Sequence, residues 1–235
     1  MALSDEAFKQ AQEYEIKYTF KYKWMDEWKK LYREHLRDFF KINGSFPDSV
    51  VVDIGCGPVG IISVVEAREK VGIDPLMDEY KKIFDMEPDV KYINAKGEEI
   101  PFPDNYADVV FCVNVLNHVQ DPDKVLSEIA RILKPEGKLY FDVHDNALSV
   151  GHPHLFTRES VYSLLSKHFQ IEKNIERNEI PVITYEIYCA DCGVKLAAPT
   201  VLRNGQTCTC GSNKRRKVLK HKVSKTKMWG AICKI

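Results

Sequence analysis

Three glycines spaced G-x-G-x-x-G (Gly55, Gly57 and Gly60 in VVDIGCGPVG) follow a β-branched run that ends in Asp53 and Ile54. Gly55 and Gly57 permit a sharp turn and a close approach of backbone to a ligand, because no Cβ stands in the way. Loops of this kind cradle nucleotides, and a pyrophosphate would take the free N–H groups of a following helix. Asp53 stands two residues before the first glycine. A carboxylate there repels a pyrophosphate and suits a ligand with an ammonium group. S-adenosylmethionine (SAM) carries both an ammonium and a sulfonium. Asp74, in VGIDP, lies 21 residues after Asp53 at the end of the next apolar run. From that place a carboxylate accepts hydrogen bonds from ribose hydroxyls. The two acids turn a weak glycine pattern into a specific one.

A second constellation is cysteine-based. Cys189, Cys192, Cys208 and Cys210 follow C-x2-C-x15-C-x-C, and CADCG has the form of a zinc knuckle. Four thiolates in two pairs fit a closed, tetrahedral structural zinc site, and a metal would explain how the polar stretch between the pairs folds. Reduced thiols without metal are the other reading. Cys56, Cys112 and Cys233 lie in apolar or glycine-rich segments and read as small core residues. From Cys192 onward there are eleven Lys or Arg and no Asp or Glu, so residues 1–191 carry a net charge of −11. Eight of those cations crowd into residues 214–227. That stretch could grip nucleic acid, yet it holds no aromatic residue for base stacking. A solvated β-ribbon, a patch facing an anionic sugar nucleotide, glycan or protein, and a tail folded on its own acidic body remain open.

Histidines supply the proton acceptors that a hydroxyl nucleophile requires. His118, in NVLNHV, is the candidate catalytic base, with His144, His152 and His154 of VHDNALSVGHPH as further candidates. The N-terminal EYEIKYTFKYKWMDEW is rich in aromatics. Most of them would dock a helix on the core. Tyr14 and Tyr18, four apart on one face, are expected to reach the ligand, where an aromatic face can cover a sulfonium.

Periodicity places these residues. A helical pattern runs from Ser4 to about Lys41 and breaks at NGSFPD. Strands are expected at Val50–Ile54, Lys70–Ile73, Val90–Asn94, Ala107–Val113 and Gly137–Val143, with helices over Val59–Arg68, Met77–Phe84 and Asp121–Leu133. Asp121 reads as an N-cap with Pro122 at the first helical position. A helix at Thr157–His168, a long strand at Phe169–Tyr188 and a last strand at Met228–Ile235 complete the chain. Alternating strands and helices mean a parallel sheet covered on both faces, with ligands at the carboxyl ends of its strands. The expected fold is α/β: a Rossmann-like, doubly wound seven-stranded sheet with N-terminal helices and a small four-cysteine insertion. The divisions are a helical lid (1–45), the ligand-binding core (46–188), a basic zinc-ribbon-like insertion (189–225) and the last strand (226–235). No apolar run approaches the roughly 20 residues of a membrane span. The start lacks a signal-peptide apolar region, so a cytoplasmic protein is expected.

In order along the chain, VVDIGCGPVG, VGIDP, INAKGEEIPFPDNYADVVFCVNVLNHVQDP and ILKPEGKLYF resemble the motifs of the class I SAM-dependent methyltransferases, specifically the broad methyltransferase 11 group. The resemblance covers about residues 49–141. It implies that Asp53, Gly55, Cys56 and Gly57 line the methionine part of SAM. It implies Asp74 on the ribose, Pro75 and Leu76 beside the adenine, and Asn114 near the sulfonium. Lys96, Gly97 and Glu98 occupy the loop that reads the adenine edge. Many relatives have an acid where Lys96 stands, which leaves the Gly97 N–H as donor to the ring. NVLN differs from the N-P-P-[YF] motif of enzymes that methylate exocyclic amino groups of bases. The expected activity is methyl transfer to a small-molecule or saccharide acceptor, at a hydroxyl. The alternatives are an RNA or protein methyltransferase recruited through the basic insertion, and a non-catalytic subunit on the same fold.

Overall fold

The computed structural model describes residues 2–19, 25–145, 148–178, 180–189, 215–224 and 227–235; for residues 18, 19, 180–189 and 215–224 only the backbone is described. The N-terminal helices are α1 (Asp5–Thr19) and α2 (Met25–His35), and α2 runs into a π-helical turn at Leu36–Phe40. The strands are β1 (Ser45–Ile54), β2 (Glu66–Ile73), β3 (Lys91–Ile93), β4 (Ala107–Val113), β5 (Leu133–His144), β6 (Gln170–Arg177), β7 (Ile180–Cys189), β8 (Arg215–Ser224) and β9 (Met228–Lys234). Helices α3 (Met77–Tyr80), α4 (Pro122–Ile132) and α5 (Arg158–Leu165) connect them.

Seven strands form one sheet in the order β3-β2-β1-β4-β5-β9-β6. Strands β1 to β5 pair in parallel, and β9 runs antiparallel to both β5 and β6. The chain steps outward from β1 to β3, then returns to lay β4 on the other side of β1. That reversal opens a crevice at the carboxyl ends of β1 and β4. This is the expected Rossmann-like architecture.

The period-2 alternation of strand side chains divides the molecule into two faces. Val52 and Ile54 of β1, Val110 and Cys112 of β4, and Leu139, Phe141 and Val143 of β5 point to one face. There they meet Val125, Leu126, Ile129 and Ile132 of α4 and Val161 and Leu165 of α5. Each fully buried aliphatic side chain of α4 contributes about 2 kcal/mol of transfer free energy before ordering entropy is counted. The intervening residues face the other way. Phe111 and Tyr140 stack at 5.1 Å and meet the ring of Phe40 from the π-helical turn. Asp53 and Asp142 share that second face by register, a placement that matters below.

The structure differs from expectation at several places: the helix expected over Met77–Phe84 is a single turn, Met77–Tyr80, and β5 starts at Leu133, not Gly137. Residues 59–68 are not a helix: a single 3-10 turn at Ile61–Ser63 leads directly into β2, which starts at Glu66. The β-branched run IISVV favours extended backbone, and the Ile62 N–H is taken by the Asp53 carboxylate at 3.1 Å instead of by a helical carbonyl. The expected long strand at 169–188 is two strands, β6 in the main sheet and β7 paired antiparallel with β8. The strand begun at Val50 starts earlier, at Ser45, with a register break between Phe46 and Val50 around Pro47, which has no N–H to give a ladder. The Asp121 cap and Pro122 start of α4 are as expected, with Asp121 accepting from the Asp123 and Lys124 N–H groups.

The chain divides into two units, residues 1–178 with 226–235, and Glu179–Lys225. The second unit contains the β7–β8 ribbon, so much of the basic 214–227 stretch is strand. Cys192, Cys208 and Cys210 lie outside the described residues, as does the side chain of Cys189.

Candidate active site

A cavity of about 470 Å³ opens at the carboxyl ends of β1, β2 and β4. Its floor is the glycine loop. Gly55 and Gly57 have φ of +65° and +56°, the left-handed region where a side chain is strained. A Cβ on Gly55 would also lie 2.6 Å from Val115 Cγ2, while Gly57 leaves open space beside the cavity. Gly60 is needed for a different reason: a Cβ there would collide with Asp53 Oδ2 and the Cys56 carbonyl.

Asp74, at the end of β2, lines the cavity and is almost fully buried. It accepts from the Gly57 N–H and the Leu76 N–H, each at 2.9 Å. Burial pushes its carboxyl up to about 6, the two backbone donors pulling the other way. Each oxygen keeps a lone pair for a ligand hydroxyl. Asp53 is not among the cavity-lining residues; its Oδ2 is spent on the Ile62 N–H, and burial raises its carboxyl to about 7. Cys56, Pro75, Leu76, Lys96, Gly97 and Glu98 all line the cavity. Lys96 Nζ lies 4.6 Å over the Phe8 ring and donates to Gln120 Oε1 at 3.2 Å. Glu98 accepts from the Gln120 and Asp121 N–H groups, which holds the turn before α4.

The loop after β4 brings in Asn114 and His118. Asn114 sits at φ +56°, its N–H shared between the Asp142 main-chain O at 3.1 Å and Oδ1 at 3.0 Å. Its own Oδ1 is buried with no hydrogen-bond partner among the described residues, as is Gln12 Oε1 on α1. An unpaired buried acceptor costs about 1–3 kcal/mol, so two of them at one cavity point to a ligand that satisfies them. His118 Nδ1 lies 3.4 Å from Glu15 Oε1 of α1, within ion-pair range though too long and poorly aligned for a hydrogen bond. The His152 ring is 4.6 Å from the His118 ring. Burial, with the neighbouring His118, lowers the His152 imidazole from its ordinary value.

Of the other histidines, His154 is spent on the Val119 carbonyl at 2.9 Å, and His144 does not line the cavity. Tyr14 does line it, packed against Gly151; the Tyr18 side chain lies outside the described residues. The sequence reading missed Phe8, Gln12 and Glu15 of α1, and Met25, Trp28 and Tyr32 of α2, all on the cavity wall. The i, i+3, i+4, i+7 spacing of Phe8, Gln12, Glu15 and of Met25, Trp28, Tyr32 was a usable signal, hidden because polar residues share the stripe.

Residues 52–141 match the family described as a methyltransferase domain. Over 112 residues the chain is 34% identical to a ubiquinone/menaquinone biosynthesis C-methyltransferase of Vibrio parahaemolyticus, a match that spans 48% of this chain and 39% of that protein. Over 102 residues it is 33% identical to an uncharacterized methyltransferase of Schizosaccharomyces pombe, 37% of each chain. The chain spans 30–39% of the length of such curated relatives. A SAM-dependent methyltransferase from Thermotoga maritima, 16% identical, superposes with a TM-score of 0.53 over 92% of this chain and 96% of that one. A chain of the complex between the Haloferax volcanii Trm112 methyltransferase activator and a methyltransferase, also 16% identical, superposes with a TM-score of 0.56 over 99% of both. At these identities the structural likeness establishes the fold. Residues 52–141 thus match a methyltransferase domain, and the sheet that carries them is Rossmann-like.

Proposed function

We propose that this protein is a SAM-dependent methyltransferase acting on a small-molecule or saccharide acceptor, with a hydroxyl as the nucleophile. The observation that carries the reading is the acceptor-lined cavity: Asp74 held by two backbone donors, with Asn114 Oδ1 and Gln12 Oε1 buried and unpaired. Such a wall fits a ligand with ribose hydroxyls and positive charge, and repels a pyrophosphate. Asp74 would hold the ribose, Asn114 and Gln12 would face the cationic part, and the apolar wall of Leu76 and Val119 suits a base. Bound SAM supplies a methyl group already activated by positive sulfur.

The protein's share is then alignment, exclusion of water and removal of one proton. Helices α1 and α2 wall the cavity with Phe8, Trp28 and Tyr32. His118, beside Glu15 on the cavity wall, would accept the hydroxyl proton on a ring nitrogen. His152, close by, is the second imidazole able to relay the proton onward. The Vibrio relative's name places its methylation at carbon, so carbon is the acceptor atom to set against oxygen in the assay. The Cys189, Cys192, Cys208 and Cys210 spacing supports a structural zinc in the second unit; metal analysis of the purified chain should find one zinc per molecule.

The deciding experiment follows formation of S-adenosylhomocysteine (SAH) with phenolic, sugar-hydroxyl and amine acceptors. Turnover with a hydroxyl acceptor is expected. A protein whose melting temperature and heat of binding ignore SAM would end this reading.

A further inference from the structure

The pair His35–Asp142 lies largely out of solvent and outside the cavity lining. His35 closes α2, and its Nε2 donates to Asp142 Oδ2 at 2.6 Å. The imidazole cannot turn: it stacks on Phe39 at 4.7 Å and meets the edge of Phe40 at 5.0 Å. Asp142 is fully buried near the end of β5, on the sheet face that α2 covers. Its other oxygen, Oδ1, accepts from the Asn114 N–H at 3.0 Å, and its main-chain O accepts from the same N–H at 3.1 Å. One locked ring thus fixes one carboxylate, and the carboxylate fixes the backbone of Asn114 in a left-handed conformation that few non-glycine residues adopt.

Asn114 is a cavity residue whose buried Oδ1 has no hydrogen-bond partner among the described residues. It stands four residues before His118, at the end of β4 and away from the Asp74 end of the cavity on β2. The reacting carbon must lie at the end where the proton acceptors His118 and His152 are, and the positive sulfur lies next to that carbon. We propose that His35 and Asp142 are positioning residues that hold Asn114 Oδ1 against the sulfonium, so that the site distinguishes the charged methyl donor from its neutral thioether product.

The inference rests on SAM being the ligand, and its test separates the two claims. Isothermal titration with SAM and with SAH compares wild type, His35→Leu, His35→Gln and Asp142→Asn, each checked for an unchanged melting temperature. A charge-assisted contact of this kind is worth roughly tenfold in affinity. His35→Leu is expected to lose about that factor for SAM while SAH stays within about twofold. His35→Gln, whose amide N–H can still reach Asp142, recovers most of the loss. Asp142→Asn keeps the volume but has one acceptor oxygen for two N–H donors, so either Asn114 or His35 loses its tie, and the same selective loss is expected even where the leucine variant fails to fold. Equal losses for both ligands, or none, overturn the positioning role and leave SAM binding standing. Wild type that binds neither ligand overturns the functional reading and this inference together.

Discussion

Asp74 shows how one residue joins burial to binding. Its carboxyl is raised to about 6 because burial disfavours the charge more than two N–H donors favour it. A ligand whose hydroxyls donate to the carboxylate favours the ionised form, so binding releases a proton in the pH range around 6. SAM affinity should therefore rise from pH 5.5 to 7.5, and calorimetry in buffers of differing ionisation enthalpy should register proton release near pH 6. Asp74→Asn, which keeps one acceptor and loses the charge, should weaken SAM roughly tenfold to a hundredfold and flatten that pH dependence. His118→Ala should lower kcat by about 10²–10⁴ with little change in KM for SAM, as expected of a proton acceptor. A variant that lost both in proportion would assign His118 to binding.

At the scale of elements, the glycine loop and α1 matter most. The third glycine serves packing: Gly60 lies against the Asp53 carboxylate that receives the Ile62 N–H. Gly60→Ala should destabilise by about 1–3 kcal/mol through overpacking, read as a lower urea midpoint at unchanged m-value. Helix α1 is tied to the turn before α4 by Gln120, whose Nε2 donates to the Leu3 carbonyl at 3.2 Å and to Asp5 Oδ1 at 2.7 Å. The Leu3 N–H returns a bond to the Gln120 carbonyl at 2.9 Å. Gln120→Ala removes the side-chain ties alone. Faster amide exchange confined to α1, with global stability nearly unchanged, is the expected result. Uniformly faster exchange would show that α1 opens only with the whole domain.

For the whole molecule, two buried acids set the pH response. In the unfolded chain an aspartate loses its proton near 3.9, whereas native Asp53 retains it to about 7 and Asp74 to about 6. Between those limits the folded state binds more protons. The two acids' contribution to stability falls as pH rises from about 4 to about 7 and levels off above that, while the lowered His144, His152 and His154 imidazoles act in the opposite direction. Melting temperatures of ligand-free wild type and Asp53→Asn should therefore diverge along this slope. Saturating SAM should reduce it by favouring ionised Asp74, with the shift at pH 7.5 exceeding that at pH 5.5. Asp53→Asn should remove much of the slope, since the amide oxygen can still accept from Ile62. An Asp53→Asn variant with the same pH dependence of melting temperature as wild type would contradict the assignment.

The strands at β4 and β9, the capped start of α4, the loop of Gly55 and Gly57 and the position of Asp74 were legible in the sequence, because each depends on neighbours in the chain. Apolar periodicity, Pro after an N-cap residue and glycine with positive φ are local properties. Other features became visible only in three dimensions. Asp53 reads as a ligand carboxylate in a linear motif, yet the chain folds a 3-10 turn back onto it and takes its oxygen. The 59–68 segment left its helical pattern because β2 could start sooner as a strand. Asp142 sits in an ordinary strand pattern, and 107 positions separate it from the histidine that completes it. Sequence patterns record the preferences of short stretches. Which buried groups meet across the sheet depends on register and crossover, and those exist only once the whole core has closed.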